Sequence, residues 1–395
     1  MFSQLQQPPA DPILGLSVKF KTDTNPNKID LGPGIYKDEA GHTPVLACVK
    51  AAEQYRVDNE TSKTYLGSAG SALFNEKIAA LILGDHKVIG ENRVRTVSTP
   101  GGTGALRIAG EFVNRCKPGA TIWVSNPTWA NHQGVFKAAG LKIETYPYYD
   151  YENKCLDFAG MFEALKQVPK GDAVLLHACC HNPSGMDLNK EQWQQVAALA
   201  KDIGFTPIVD IAYQGFGESL DADAYGLRLM ADSVDEMIVC SSCSKNFGLY
   251  RDRIGACSII GKSAVAADII SAVLLTVVRV NYSMPPAHGA ALVETILSSD
   301  ELTQQWHGEV AEMRDRINGM RQLLVDSLVA NGVTRDFSFI TRQNGMFSFL
   351  GIESDQIQRL QDEFGIYIVN SSRVSIAAIS PSNVNYLTQS IAKVL

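Results

Sequence analysis

The stretch CSSCSKNFGLYRDRIG, residues 240–255, sets a lysine, Lys245, among small residues, with Arg251 and Arg253 close behind. Ahead of it EMIVC, residues 236–240, reads as a buried strand. Lys245 is therefore expected near the end of that strand. An ammonium group there is costly unless it is paired or chemically used.

Outward from this point, short apolar runs alternate with longer helical patterns. TPIVDIAY (206–213) and AVLLHACC (173–180) read as strands, as do TIWVS (121–125), KIETYPYY (142–149) and GACSII (255–260). Helical patterns lie between them, at ANHQGVFKAAG (130–140) and at KEQWQQVAALAKDIG (190–204), which stops at a glycine. This alternation predicts an α/β fold with a mainly parallel sheet flanked by helices. After about Ala287 the pattern changes: a long amphipathic helix (309–332), two short strands and a terminal helix suggest a smaller α+β lobe. The N-terminal forty residues hold too few elements to fold alone. The expected organisation is a large domain over 46–309 and a small one from 1–45 with 310–395.

With 395 residues the chain is too long for one compact core. A 45% hydrophobic content indicates a globular protein, and the net charge of −7 argues against nucleic-acid or anionic-membrane partners. The longest apolar run, 263–280, is interrupted by Asp268 and Arg279 and reads as a buried helix, not a membrane span. The N-terminus lacks the marks of a signal peptide, so the expected location is the cytoplasm. Eight scattered cysteines form no disulfide framework. The C-x-x-C of Cys240 and Cys243 and the adjacent Cys179 and Cys180 read as small buried residues, so no metal is expected.

In open α/β sheets, ligands bind beyond the carboxyl ends of the strands. There the sequence offers an amide in HNPSG (181–185), a carboxylate and a phenol in VDIAYQG (Asp210, Tyr213), and hydroxyls and an amine in Ser242, Ser244 and Lys245. TPGGTGALRIAGEF (99–112) adds a glycine-rich loop opening a helix, which suits an anion. It lacks the dinucleotide fingerprint, because Arg107 takes the third glycine position, which counts against a nicotinamide oxidoreductase. Each feature alone has a structural reading. Together, an amine able to form a Schiff base, a lone acid and an anion cradle point to pyridoxal phosphate.

Ten blocks in order carry a resemblance that spans residues 11–395. They include YLGSAG, GGTGALR, NPTWANH, HNPSG, VDIAYQGF, SKNFGLY followed by R-x-x-G, NYSMPPAHGA, QNGMFSF and SSRVSIAAI. The chain resembles the aspartate/aromatic aminotransferases of fold type I, whose cofactor is pyridoxal 5′-phosphate. The resemblance implies that Lys245 is the Schiff-base lysine and proton shuttle. Asp210 would partner the pyridine nitrogen, with His132 close behind it, and Asn182 and Tyr213 the ring oxygen. Gly102, Thr103, Ser242 and Arg253 would hold the phosphate. Trp129 would stack on the ring, and Tyr65 would reach the phosphate across a homodimer interface. For substrate, the resemblance assigns the α-carboxylate to Arg373, with Gly34 beside it, and a side-chain carboxylate to Arg279 of the neighbouring subunit. Arg251 matches no role and reads as surface or interface charge.

Specificity cues conflict. Met284 stands where aspartate-specific members usually carry asparagine and aromatic ones serine, whereas Lys37 and Thr43 resemble the aspartate type. The expected reaction is ping-pong transamination of aspartate with 2-oxoglutarate; the alternative is an aromatic-amino-acid aminotransferase. Decarboxylation or β-elimination is disfavoured by the pair Arg279 and Arg373. A catalytically idle homologue is disfavoured by the retained Lys245, Asp210 and Arg253.

Overall fold

A computed structural model of the chain describes residues 2–6 and 12–395; the start of the expected resemblance, Asp11, lies outside them. The chain divides into two compact units, Pro44–Asp315 and Met1–Thr43 with Arg316–Leu395. The second division falls within the helix Asp300–Ala330 rather than at 309/310. A continuous helix carries no composition shift to mark such a point.

The larger unit is built on a seven-stranded sheet. In chain order its strands are β1 (Val94–Pro100), β2 (Thr121–Asn126), β3 (Lys142–Pro147), β4 (Ala173–His177), β5 (Thr206–Ile211), β6 (Met237–Ser242) and β7 (Ile254–Ile260). Their order across the sheet is β1-β7-β6-β5-β4-β2-β3. Only β7 runs against its neighbours. Strands β6 and β7 are buried at every position, which is why both read as continuous rather than alternating apolar runs. Strand β1 was not legible: arginine and threonine alternate with valine along it, and the glycines that follow it suggest a loop. There is no loop. Helix α1 (Gly101–Cys116) begins where β1 ends, so these glycines form its first turn.

Four more helices matter below: α2 (Asn131–Ala138), α3 (Lys190–Ile203), α4 (Ala264–Asn281) and α5 (Asp300–Ala330). A capping box at Asn189 and Gln192 opens α3, and Gly204, at φ 78°, closes it. Helix α4 corrects an expectation. It is not a buried helix: only 22% of its 18 residues are buried, and its mean hydropathy is 1.8. Val265, Ile269 and Val280 are exposed at 73%, 64% and 66%. Among the described residues it is the one helix long and apolar enough to match a membrane thickness. Asp268 and Arg279 interrupt the run without lowering its mean hydropathy below that mark.

In the smaller unit, Ile29–Asp30 pairs in parallel with Ile366–Tyr367, and Phe347–Phe349 pairs antiparallel with Arg373–Ser375. The helix Val384–Val394 ends the chain, burying Leu387, Ile391 and Val394.

Candidate active site

Strand direction gathers the chemistry of the larger unit at one sheet edge. Strands β1, β2, β4, β5 and β6 deliver their carboxyl ends there. Antiparallel β7 begins at that edge, which brings in Arg253, the residue just before it. A cavity of about 170 Å³ opens at this place. Gly102, Thr103, Trp129, Asn182, Asp210, Tyr213, Ser242, Lys245 and Arg253 all line it. Ser244, offered by the sequence as a strand-end hydroxyl, lines it as well; Leu106, His177, Cys179 and Ala212 line it too, and no sequence motif singled them out for it.

Lys245 lies three residues beyond β6, and its Nζ sits 5.1 Å from the centroid of the Tyr213 ring. Burial pushes its amine down to about 8; the nearby Arg253 charge acts the same way, and Asp210 opposes both. About one amine in ten is then neutral at pH 7, a form a surface lysine hardly populates.

Asp210, near the end of β5, accepts from His132 Nε2 at 3.2 Å. Burial alone would push this carboxyl up. The His132 hydrogen bond, with the positive charge of Lys245 nearby, outweighs burial and holds it below its ordinary value. His132 is fully buried, and its Nδ1 meets Thr128 Oγ1 at 2.8 Å. Thr128 Oγ1 in turn lies 3.2 Å from His177 Nε2. Burial keeps His177 neutral, its pKa lowered to about 3. The carboxylate is thus fixed from behind by a chain that holds it ionised.

The opposite wall is shaped for an anion. Gly101 has φ 72°, and a Cβ there would lie 2.4 Å from Arg253 Nη2. A Cβ on Gly102 would lie 3.1 Å from the Ser242 Cβ. The guanidinium of Arg253 therefore packs directly on the first turn of α1. It donates to Ser244 Oγ at 3.3 Å and to the Tyr250 carbonyl at 3.1 Å. Among the described residues no carboxylate forms a salt bridge with it. A helix N-terminus and an arginine with no acidic partner make an anion cradle.

Asn182 supplies a further test of fit. Its Nδ2 reaches the Tyr213 hydroxyl at 3.4 Å, and among the described residues its buried Oδ1 has no hydrogen-bond partner. Turning the amide over would give Oδ1 the phenol proton and aim Nδ2 at an acceptor in the cavity. Amine, carboxylate, anion cradle and amide fit a phosphorylated, oxygen-bearing pyridine aldehyde.

The chain matches the family model of aminotransferases class I and II over residues 26–391. The aspartate aminotransferase of Salmonella typhi is 50% identical over the whole of both chains. The chain belongs to the class I and II aminotransferases. It is also 45% identical to the aromatic-amino-acid aminotransferase of Pseudomonas aeruginosa, over all of this chain and 98% of that one. A solved Burkholderia pseudomallei aromatic-amino-acid aminotransferase, covalently bound to pyridoxal phosphate, superposes with a TM-score of 0.98 at 45% identity, covering 100% and 99% of the chains. The fold is therefore that of fold-type-I aminotransferases, and the enzyme's cofactor is pyridoxal 5′-phosphate.

Four expected residues do not line this cavity. Arg373 and Gly34 belong to the smaller unit. There Arg373 is buried, donates to the Gly32 carbonyl, and stacks 4.1 Å from the Phe347 ring centroid. A Cβ on Gly34 would meet that ring at 2.5 Å, so glycine is required for this packing. Tyr65 is 93% exposed. Arg279 is exposed near the end of α4 and donates to Ser283 Oγ. Arg251 is exposed, in keeping with surface or interface charge. The eight cysteines are free. Donor atoms of Cys179, Cys180 and Asp223 lie within 4.8 Å of one another. However, Asp223 already accepts from the Gly215, Gly217 and Glu218 amides, so it anchors that loop.

Proposed function

We propose that this aminotransferase carries the amino group of L-aspartate to 2-oxoglutarate by a ping-pong cycle. The observation that carries the reading is one cavity holding a lysine amine of lowered pKa, a carboxylate held ionised, and an arginine with no acidic partner.

In this reading Arg253, Ser242 and the first-turn amides of Gly102 and Thr103 hold the phosphate. Asn182 and Tyr213 hydrogen-bond the ring oxygen, Trp129 covers the ring face, and Asp210 keeps the ring nitrogen protonated. Lys245 Nζ is the covalent attachment point. The bound cofactor supplies an electron sink for the bond broken at the substrate Cα. Once free of that attachment, Lys245 Nζ would take the Cα proton as a base and give it back as an acid on the far side of the transferred nitrogen. Its lowered pKa supports both steps near neutral pH.

Arg373 receives the α-carboxylate as a bidentate pair, beside Gly34. The protein works as a homodimer, with Tyr65 reaching the phosphate and Arg279 the substrate's distal carboxylate in the other copy's site. The exposure of Tyr65, Arg279 and the apolar face of α4 supports this arrangement. It also accounts for α4 without a membrane, in keeping with a cytoplasmic enzyme.

A second reading, with aromatic amino acids as the main substrates, rests on Met284. Its thioether accepts the Leu66 amide at 3.0 Å, which sets an apolar side chain beside Tyr65. Titrating the visible band of the holoenzyme separately with aspartate and phenylalanine decides between them. Bleaching by aspartate at far lower concentration supports the first reading; equal or preferential response to phenylalanine replaces it with the second. No visible band after incubation with the cofactor rejects both.

A further inference from the structure

The loop that carries Lys245 is gripped from outside the cavity. Trp306, on α5, is fully buried and does not line the cavity. Its indole Nε1–H donates to the main-chain carbonyl of Asn246, the residue after Lys245, at 2.8 Å. Its ring lies flat on Phe247, the next residue, with centroids 4.3 Å apart and planes 7° apart. Gly248, at φ 65°, returns its N–H to the Lys245 carbonyl at 3.0 Å and closes the turn. A second link runs from the same asparagine. Asn246 Nδ2 donates to the Gln214 carbonyl at 3.3 Å, and Gln214 follows Tyr213. Gln214 in turn donates its own amide to the Leu81 and Leu220 carbonyls at 3.2 and 2.9 Å.

We infer that Trp306 and Asn246 are positioning residues that set the Lys245 amine against Tyr213 and Asp210. Trp306 fixes the height of the lysine loop, and Asn246 ties that loop to the one bearing Tyr213. The indole bond is hard to replace. Losing it strands a buried carbonyl, and the loop must shift or admit water to satisfy it. A loop shift moves the amine relative to the groups that hold its charge state. The inference rests on Lys245 being the cofactor-bearing lysine.

Two holoenzyme variants test it. Trp306→Phe keeps an aromatic stack and removes the donor; Asn246→Ala keeps the main-chain bond and removes the link to Gln214. The pH midpoint of the cofactor's visible band is read alongside kcat, KM and thermal stability. The expected result is a midpoint moved by about half a pH unit or more in each variant. With it, kcat should fall about tenfold while KM for the amino donor changes less. A purely structural role would lower thermal stability alone. An unmoved midpoint and a kcat within about twofold of the parent, in a variant that folds, overturns the inference. If Trp306→Phe fails to fold, Asn246→Ala decides. A parent enzyme with no visible band rejects the lysine assignment itself, and this inference with it.

Discussion

Burying an ammonium group costs folding free energy, and Lys245 carries that cost. Its pKa drops from 10.5 to about 8, which corresponds to about 3 kcal/mol. The sign follows from proton counts. Below pH 8 the lysine is charged in both folded and unfolded chains, and the full penalty applies. Between pH 8 and 10.5 the unfolded chain binds more protons, so stability rises with pH. In the cofactor-free protein, Lys245→Met should therefore stabilise the fold by up to about 3 kcal/mol at pH 7, with the gain shrinking toward pH 10.5. Denaturant melts at several pH values measure this, and an unchanged gain across that range would contradict the lowered pKa. The same variant should lose the visible band and nearly all turnover. Asp210→Asn keeps the shape and removes the charge, and should cut kcat/KM by about a hundredfold or more. At this scale the sequence was most legible where a polar residue ends an apolar strand, as with Asp210 and Lys245. It was silent on Thr128 and His177, because their role behind the carboxylate depends on strands β2, β4 and β5 lying side by side.

Among elements, the junction of β1, β7 and α1 has little slack. A Cβ on Gly255 would lie 2.5 Å from the Ser241 carbonyl oxygen and 2.7 and 2.9 Å from the main chain of Gly101 and Gly102. No side chain can rotate away, so Gly255→Ala must displace the first turn of α1. The expected outcome is weaker cofactor binding, measured as a raised dissociation constant for pyridoxal phosphate, with a smaller effect on substrate KM. Gly319 gives the contrast. It lies within α5 with nothing near its missing Cβ, so Gly319→Ala should stabilise by about 0.5–1 kcal/mol. A loss of stability there would mean that the site is covered. Most strands of this sheet were readable because they are short apolar runs bounded by turn residues. Strand β1 escaped because its pattern mixes arginine with threonine and its glycines look like a loop. Periodicity cannot tell a helix start from a turn when both use glycine.

For the whole molecule, the proposed dimer is the main claim. Val265, Ile269 and Val280 form an exposed apolar stripe on α4. Ile269→Glu should shift the enzyme from dimer to monomer in light scattering and remove activity together with assembly. A fully active monomer would rule out the cross-subunit roles of Tyr65 and Arg279. Hydropathy marked this helix correctly as apolar but could not say what covers it. The same sequence suits a core, a bilayer or a second copy, and only the fold shows that its own chain leaves most of it bare. Specificity was equally out of reach, because Met284 and Lys37 pull in opposite directions and neither acts alone.

Helix α4 also bears on how the protein is made. On the proposed dimer, a newly synthesised chain can fold its sheet and still display a stripe that water disfavours, until a second copy arrives. During that interval the stripe is a sticky surface, and its exposure lasts longer when chains are scarce. Slow synthesis or low copy number should therefore favour capture by chaperones, degradation or clumping. Variants that block pairing should then be recovered less as idle soluble monomers than as missing or precipitated protein.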